Sequence, residues 1–520
     1  MPIRITGLNS GLDTDSIVKE LVSAYRLKQE NYTKAQTKLS WKQDAWKELN
    51  TKIYSFYSKT LSNMRWVGNY NKKKTTVSDS TKAKVTADSS VVNGTQRLRV
   101  NNLATGGHLT GKELKLVNGE DGAKITNSTK LSDLGIETES GKLMLEVGGE
   151  PKEITVNKDM TVSEFVSALK KQGVNASFDA NNQRFFMDST ASGLKNDFNF
   201  VTEDANSFEI LDKLGLATKD NYMQAYNVSE DEVPKNNTFA AKQNAEDAEI
   251  ELNGMIFTSD SNTFKINGLT ITATGKNADG EYMSISTETD VDGIYDMIKD
   301  FFKEYNSLMN SMETLYNAKS AKDYEPLTDD EKSEMSDEEI EKWEAKIKDS
   351  LLRRDDTLGS VLSAMSSAMS KTVEVNGKKL SLSSFGINTS GYFLKAENES
   401  YAFHINGDKD DASVESYADK LRAAIEEDPD AVASFFSDLA KGLYSTLDEK
   451  MKHTELSSSY TIYNDVQLQK EYDNYTELIK KWEDKLADLE DYYYKKFSAM
   501  ETALAKLQSQ TDSLTSLLGG

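Results

Sequence analysis

GLNSGLDTDSIVKELV, Gly7 to Val22, is the stretch on which the reading of this chain turns. A run rich in Gly, Asn and Ser passes abruptly, at Asp13 to Ser16, into an amphipathic helix. Gly7 and Gly11 keep the leader flexible, whereas Asp13, Thr14 and Asp15 bring oxygens and negative charge to the unsatisfied N–H groups and dipole of a helix N-terminus. From Val18 the spacing alternates between three and four through Val18, Leu21, Tyr25, Lys28, Tyr32, Ala35, Leu39, Lys42, Trp46, Leu49, Ile53, Phe56 and Thr60. Only Lys28, Lys42 and Thr60 interrupt an apolar seam of about six heptads, beyond the three or four that mark a coiled coil. The spacing predicts a helix from Asp15 to Trp66, about 75 Å long at about 1.5 Å per residue. Few globular cores are that wide, so part of it must pack on another long helix or another chain.

The far end repeats the pattern. Phe497, Met500, Leu504, Leu507, Thr511, Leu514 and Leu518 keep heptad spacing, extended upstream by Trp482, Leu486, Leu489 and Tyr493. A helix from Asn464 to Leu517 is expected, with a stutter where Tyr493 is followed by Phe497. The two terminal helices pair with each other or across subunits, and the sequence leaves both open. Lys28 and Lys42 would cost stability in a closed seam, which points to register control or to a groove awaiting a partner.

Between the helices the period changes to two. Strands are expected at Lys84–Ala87, Gln96–Asn101, Leu143–Val147, Val174–Phe178, Arg184–Asp188, Ala248–Asn253, Thr263–Ile266, Leu269–Thr274 and Met283–Thr287. Asn253-Gly254 and Asn267-Gly268 favour hairpin turns, and Thr161 with Glu164 forms a capping-box pattern ahead of a short helix. From Asp290 the helical period returns, with Ile294, Met297, Ile298, Phe301, Phe302, Tyr305, Leu308 and Met312 on one face. Asp323 to Asp349 holds twelve acidic residues against four lysines. Its Thr328/Glu331 and Ser336/Glu339 patterns predict short solvated helices. Leu358–Met369, a strand pair within Val373–Leu382, and helices after Asp428-Pro429 complete the region. The fold class is therefore α+β and multidomain, with long terminal helices forming a coiled-coil or bundled stalk and β-rich head domains inserted between them.

The totals exclude more than they assign. A formal charge of -23 argues against nucleic acid, which is bound through Lys and Arg displacing counterions, and disfavours an anionic membrane surface. The absence of cysteine removes disulfides, thiolate nucleophiles and Cys-type zinc sites. Neither a secretory leader nor a run of apolar residues long enough to cross a membrane is expected.

Catalytic chemistry has little support. His108, His404 and His453 lie far apart without metal-type spacing, and nucleotide-binding and nucleophile-elbow patterns are absent. NGDKDDAS, Asn406 to Ser413, echoes a calcium loop but carries Asp411 where glycine is needed and Tyr417 where glutamate is needed, so it reads as a solvated turn. Acid pairs in Asp323 to Asp349 are what any acid-rich run would contain by chance. Trp41, Trp46 and Tyr492-Tyr493-Tyr494 sit at helical spacing and read as packing rather than as a glycan platform. No cofactor or metal is expected.

GLNSGLDTDSIVKELV, the following LSWKQDAWKELNTKIYSFYSKT and RLRVNNLA at Arg97 to Ala104 together resemble the amino-terminal region of the flagellar filament-capping (hook-associated cap) family. MTVSEFVSALKKQGVNASFDANNQRFFMDSTASG, Met160 to Gly193, is similar to the module inserted in flagellins and cap proteins. INGLTITA, TDVDGIYDMIKDFFKEYNSLM, LLRRDDTL, SLSSFGINT and EEDPDAVASFF resemble, in order, the family's carboxy-terminal region. The resemblance implies a non-enzymatic cap at the distal end of the bacterial filament that promotes folding and insertion of exported flagellin and prevents its loss. It implies a homo-oligomer, commonly a pentamer within a range from tetramer to hexamer, with flagellin and an export chaperone as partners.

By the same resemblance residues 1–40 and 480–520 form legs, 41–73 with 288–479 a helical stalk, 74–110 with 241–287 a β-rich head domain, and 111–240 an outer head domain. Export through the flagellar type III apparatus without a cleaved signal makes Gly7, Leu8, Gly11 and Leu12 export-signal candidates and places the protein outside the cell. Val18, Leu21, Leu39, Trp46, Leu49, Ile53, Phe56, Leu504, Leu507 and Leu514 are the candidates for contact with other subunits or with flagellin. A tip adhesin binding host glycans is a second reading. A hook-filament junction protein or flagellin-like protein is a third, separated only by GLNSGLDTDSIV.

Overall fold

The first helix starts where its cap residues place it. In the computed structural model, which describes residues 10–118, 123–390 and 396–518, Thr14–Ser55 is α-helical and the Asp13 carboxylate accepts the Ser16 N–H at 3.1 Å. It does not run on to Trp66 as an α-helix. Phe56–Leu61 widens into a π-helix, followed by a last α turn at Ser62–Met64. Packing accounts for the widening: Phe56 lies 5.9 Å from the ring of Phe301 while the adjacent Tyr57 stacks on Tyr444 at 4.3 Å. A wider turn lets two consecutive aromatic side chains be buried against two different helices.

The described residues before Lys72 and after Asp290 form one compact unit, and Lys72–Asp290 forms a second. In the first, the helix Val291–Tyr316 buries Ile294, Ile298, Phe301, Phe302, Tyr305, Leu308 and Met312, the face its period predicts, with Met297 at the margin. Asp356–Met369 and Pro429–Lys450 share this core. The latter is started by Pro429 and by the Asp428 carboxylate, which accepts the Ala431 N–H at 2.9 Å. The acid-rich segment is two helices, Asp329–Ser333 and Asp337–Asp349, each opened by the expected capping box, with only Ile347 buried along them. The last described element is a single helix, Asp465–Leu518.

Among its described residues the second unit holds four sheets, antiparallel throughout. Five strands run in the order Lys73–Val77, Met283–Thr289, Gly94–Asn102, Ala248–Leu252, Met255–Ser259. Their core is shared with the sheet Thr263–Ile266, Leu269–Ala273, Ala83–Ala87, through Leu98, Val100, Ile250, Ile271 and Ile285. The other two sheets, Ala241–Gln243, His108–Thr110, Arg184–Ser189, Val174–Asp179 and Glu150–Val156, Gly141–Val147, Phe198–Val201, enclose Leu143, Leu145, Phe185 and Phe198 with Phe165 of the helix Val162–Lys171. Both expected Asn-Gly turns form, with positive φ at Asn253 and Gly254 (52° and 88°) and at Asn267 and Gly268 (46° and 80°).

Candidate functional site: the paired terminal helices

The first and last helices pack against each other along most of the first one's length, in opposite directions. Asp15 accepts the Tyr494 hydroxyl at 2.9 Å, Arg26 bridges Glu490 at 3.0 Å, and Gln36 donates to Thr476 at 2.6 Å. Aromatic rings face one another along the seam: Tyr25 with Trp482 at 6.2 Å, Tyr32 with Tyr475 at 6.4 Å, and Trp46 stacked on Tyr463 at 5.3 Å. Ser10, just before the helix, donates to Glu501, whose side chain is buried. The pairing is thus intramolecular, one of the two arrangements that the seams allowed.

At the base of the pair, Asn50 acts as a clamp: its amide donates to the Tyr460 carbonyl at 3.2 Å and accepts the Ile462 N–H at 2.9 Å. Heptad reading passed over it because a polar residue at a helix margin carries no periodic signal, although an Asn beside a seam is the one hint available. The interrupting lysines are also satisfied within the chain. Lys28 lies 5.2 Å from the Trp482 ring, and Lys42 bridges Asp355 at 2.9 Å.

The candidate contact residues divide into two groups. Val18, Trp46, Leu49, Ile53 and Phe56 are buried, and Leu39 and Leu504 are half-buried. Leu21 is 43% exposed, Leu507 60% and Leu514 58%. The seam takes Val22 where the heptad reading takes Leu21, because Thr14, Val18 and Val22 follow one another at steps of four. On the partner helix the steps from Tyr493 to Phe497 and from Phe497 to Glu501 are also four, so the stutter expected there lies opposite the shifted steps of the first helix. Gly11 has φ of 65° and Leu12 is exposed, whereas Gly7 and Leu8 lie outside the described residues.

Of the histidines, His108 contacts Asp188 and His404 contacts Asp411, each at 2.6 Å. In the run Asn406 to Ser413, Lys299 binds both Asp408 and Asp410 at 2.6 Å. Burial pushes the Asp411 carboxyl up, but the Ser413 hydroxyl, His404 and the Ser413 N–H outweigh it and hold the group below its ordinary value. These contacts tie a surface loop to the helix Val291–Tyr316. Among the described residues no three acidic or histidine side chains are grouped to hold a metal, and no helix is long and apolar enough to cross a membrane.

First and last helices paired in opposite directions, with antiparallel sheets inserted between them in sequence, define a multidomain α+β protein. The chain belongs to the flagellar hook-associated protein 2 family: the model of that family's C-terminal region matches residues 245–509 and that of its N-terminal region residues 10–107. It is 25% identical to flagellar hook-associated protein 2 of Halalkalibacterium halodurans over 98% of this chain and 99% of that one. It is 25% identical to the protein of the same name from Thermotoga maritima over 71% of this chain and 54% of that one. The crystal structure of the D1-D2-D3 domains of the flagellar cap protein FliD from Escherichia coli shares the fold, with a TM-score of 0.52 and 17% identity over 83% of this chain and 99% of that chain. The protein is a flagellar cap protein, with a structural and not an enzymatic role at the filament tip, and the cap of this family is oligomeric.

Proposed function

We propose that the chain closes the distal end of the filament as a homo-oligomer under which exported flagellin folds and inserts, and that the free faces of the paired terminal helices are its grip on flagellin. The observation that carries this is a set of leucines in solvent: Leu12 just before the first helix, Leu21 and Leu27 on it, and Leu507 and Leu514 on the last helix beyond Glu501. Each would contribute about 2 kcal/mol if buried by a partner. Single contacts of that size form and break readily, and several subunits in one cap make them collectively tight while each remains exchangeable. A helix face entering a groove between flagellin subunits is the matching recognition mode. An export chaperone is the partner that such leucines would require before assembly.

The test is filament growth in cells whose only copy carries Leu21→Asp or Leu507→Asp. Both side chains are exposed, so the proteins should fold and be exported, while filaments should be short or missing and flagellin should accumulate in the medium. Filaments of normal length from both variants would remove these leucines from the grip.

A further inference from the structure

The five-stranded sheet ends in an edge that is built unlike the other edges of its unit. Met255–Ser259, sequence MIFTS, pairs on one side with Ala248–Leu252 and, among the described residues, has no strand on the other. Met255 is 67% and Ile256 59% exposed. The two-residue Asn253-Gly254 turn makes Leu252 and Met255 a hydrogen-bonded pair, so by alternation the N–H and C=O of Ile256 and Thr258 point away from the sheet. Neither residue takes a partner there among the described residues.

Exposed edges are ordinarily blunted by charge, proline, shortness or a covering element. The other described edges in the unit follow that rule, and two of them, Ala241–Gln243 and Thr263–Ile266, are only three and four residues long and each carries a lysine. Lys73–Val77 carries lysines and lies against Ala83–Ala87, and Glu150–Val156 contains Pro151 and three charged residues. Val174–Asp179 is covered by the helix Val162–Lys171, and the Phe200 carbonyl of Phe198–Val201 is taken by Asn221 at 2.6 Å. Met255–Ser259 has neither charge nor proline and, among the described residues, no strand or helix covering it.

The edge is also held rigid at both ends. The Asn253 side chain accepts the Arg97 N–H at 2.9 Å, and at the other end the Asp260 carbonyl accepts the Ser192 hydroxyl at 2.9 Å while its carboxylate pairs with Lys195. Behind it Arg99 bridges Glu251 at 3.0 Å and stacks on Tyr282. A strand so fixed loses little conformational entropy when another strand is added.

We propose that Met255–Ser259 is a strand-addition edge whose occupant is the same strand of a second copy of this chain, paired antiparallel about Phe257. The sequence suits that register. Phe257 lies opposite Phe257, Ile256 opposite Thr258 as a β-branched pair, and Met255 opposite Ser259. Antiparallel pairing sets Asp260 against Gly254, whereas parallel in-register pairing would set Asp260 against Asp260. Each chain presents one such edge, so a two-fold pair satisfies the outward N–H and C=O groups of both copies and leaves neither edge open. The contact has two-fold symmetry and joins chains in pairs, which distinguishes it from the head-to-tail contacts that close a ring.

The chain has no cysteine, which makes the test direct. In this register Phe257 and its mate form a non-hydrogen-bonded pair with Cα atoms about 4.5 Å apart, within disulfide reach. Full-length Phe257→Cys under mild oxidation should give a covalent dimer at least about tenfold faster than Val92→Cys, whose site is 80% exposed in the same unit. Because Phe257 is partly packed, the double variant Ile256→Cys with Thr258→Cys, both exposed, is treated in parallel with a short bis-maleimide and should also cross-link. Adding Thr258→Pro to Phe257→Cys removes an outward N–H without breaking the inner ladder, and should abolish the advantage while the circular dichroism spectrum is kept. Dimerisation no faster than at position 92 together with an uncross-linked double variant, or an advantage that survives Thr258→Pro, would overturn the proposal. The readout is the contact itself, so it stands apart from any result on filament growth.

Discussion

Trp46 shows what a single seam residue contributes. It is 2% exposed and stacks on Tyr463 with an interplanar angle of 9°. Trp46→Ala should lower the stability of the helical unit by about 3–5 kcal/mol, read as a shift in the denaturant midpoint of the helical signal. Its burial was legible from heptad spacing alone, but its partner was not, because Tyr463 precedes the last helix and belongs to no periodic run. Leu21 and Val22 mark the limit of such reading. Adjacent apolar residues satisfy either a three- or a four-residue step from Val18, and only the partner helix decides which of them is covered.

Among the elements, those carried by local chemistry were the legible ones. The nine strands expected from alternation all form, to within about two residues at each end. So do the Asn-Gly turns and the three capping boxes, where a side chain and a nearby backbone group determine the geometry between them. Glu150–Val156 was missed because its proline and charges hide the alternation, and Phe198–Val201 because four residues give too short a sample. The π-helix at Phe56–Leu61 was missed because its cause, two aromatic contacts, lies in distant helices. The two turns also differ in a measurable way. A Cβ at Gly254 would meet open space, so Gly254→Ala should cost only the left-handed backbone penalty of about 1–2 kcal/mol. At Gly268 a Cβ would lie 2.6 Å from an Asp88 oxygen and 2.8 Å from Val91, so Gly268→Ala should lower the thermal midpoint of the sheet unit further.

At the scale of the molecule, the sheet unit is an insertion whose two ends adjoin. Lys73 pairs with Thr289, and the Asp290 N–H donates to the Lys72 carbonyl at 2.9 Å. Lys72–Asp290 expressed alone should therefore fold and melt cooperatively with its strand content intact; a spectrum of disordered chain would contradict the two-unit division. The order helix, strands, helices made this insertion readable, whereas the sheet orders, which depend on long-range pairing, were not. The helix pair also forms late in synthesis. Its facing residues, from Gln36 with Tyr472 to Asp15 with Tyr494, are 436 to 479 positions apart. A ribosome adding about 5–20 residues per second needs roughly 20 to 100 seconds to supply the second partner. Throughout that wait Val18 and Val22, both buried in the finished pair, lack the helix they face. Closure of the seam thus waits for the helix that starts at Asp465, and until then those two valines are open to any protein that binds exposed apolar helix.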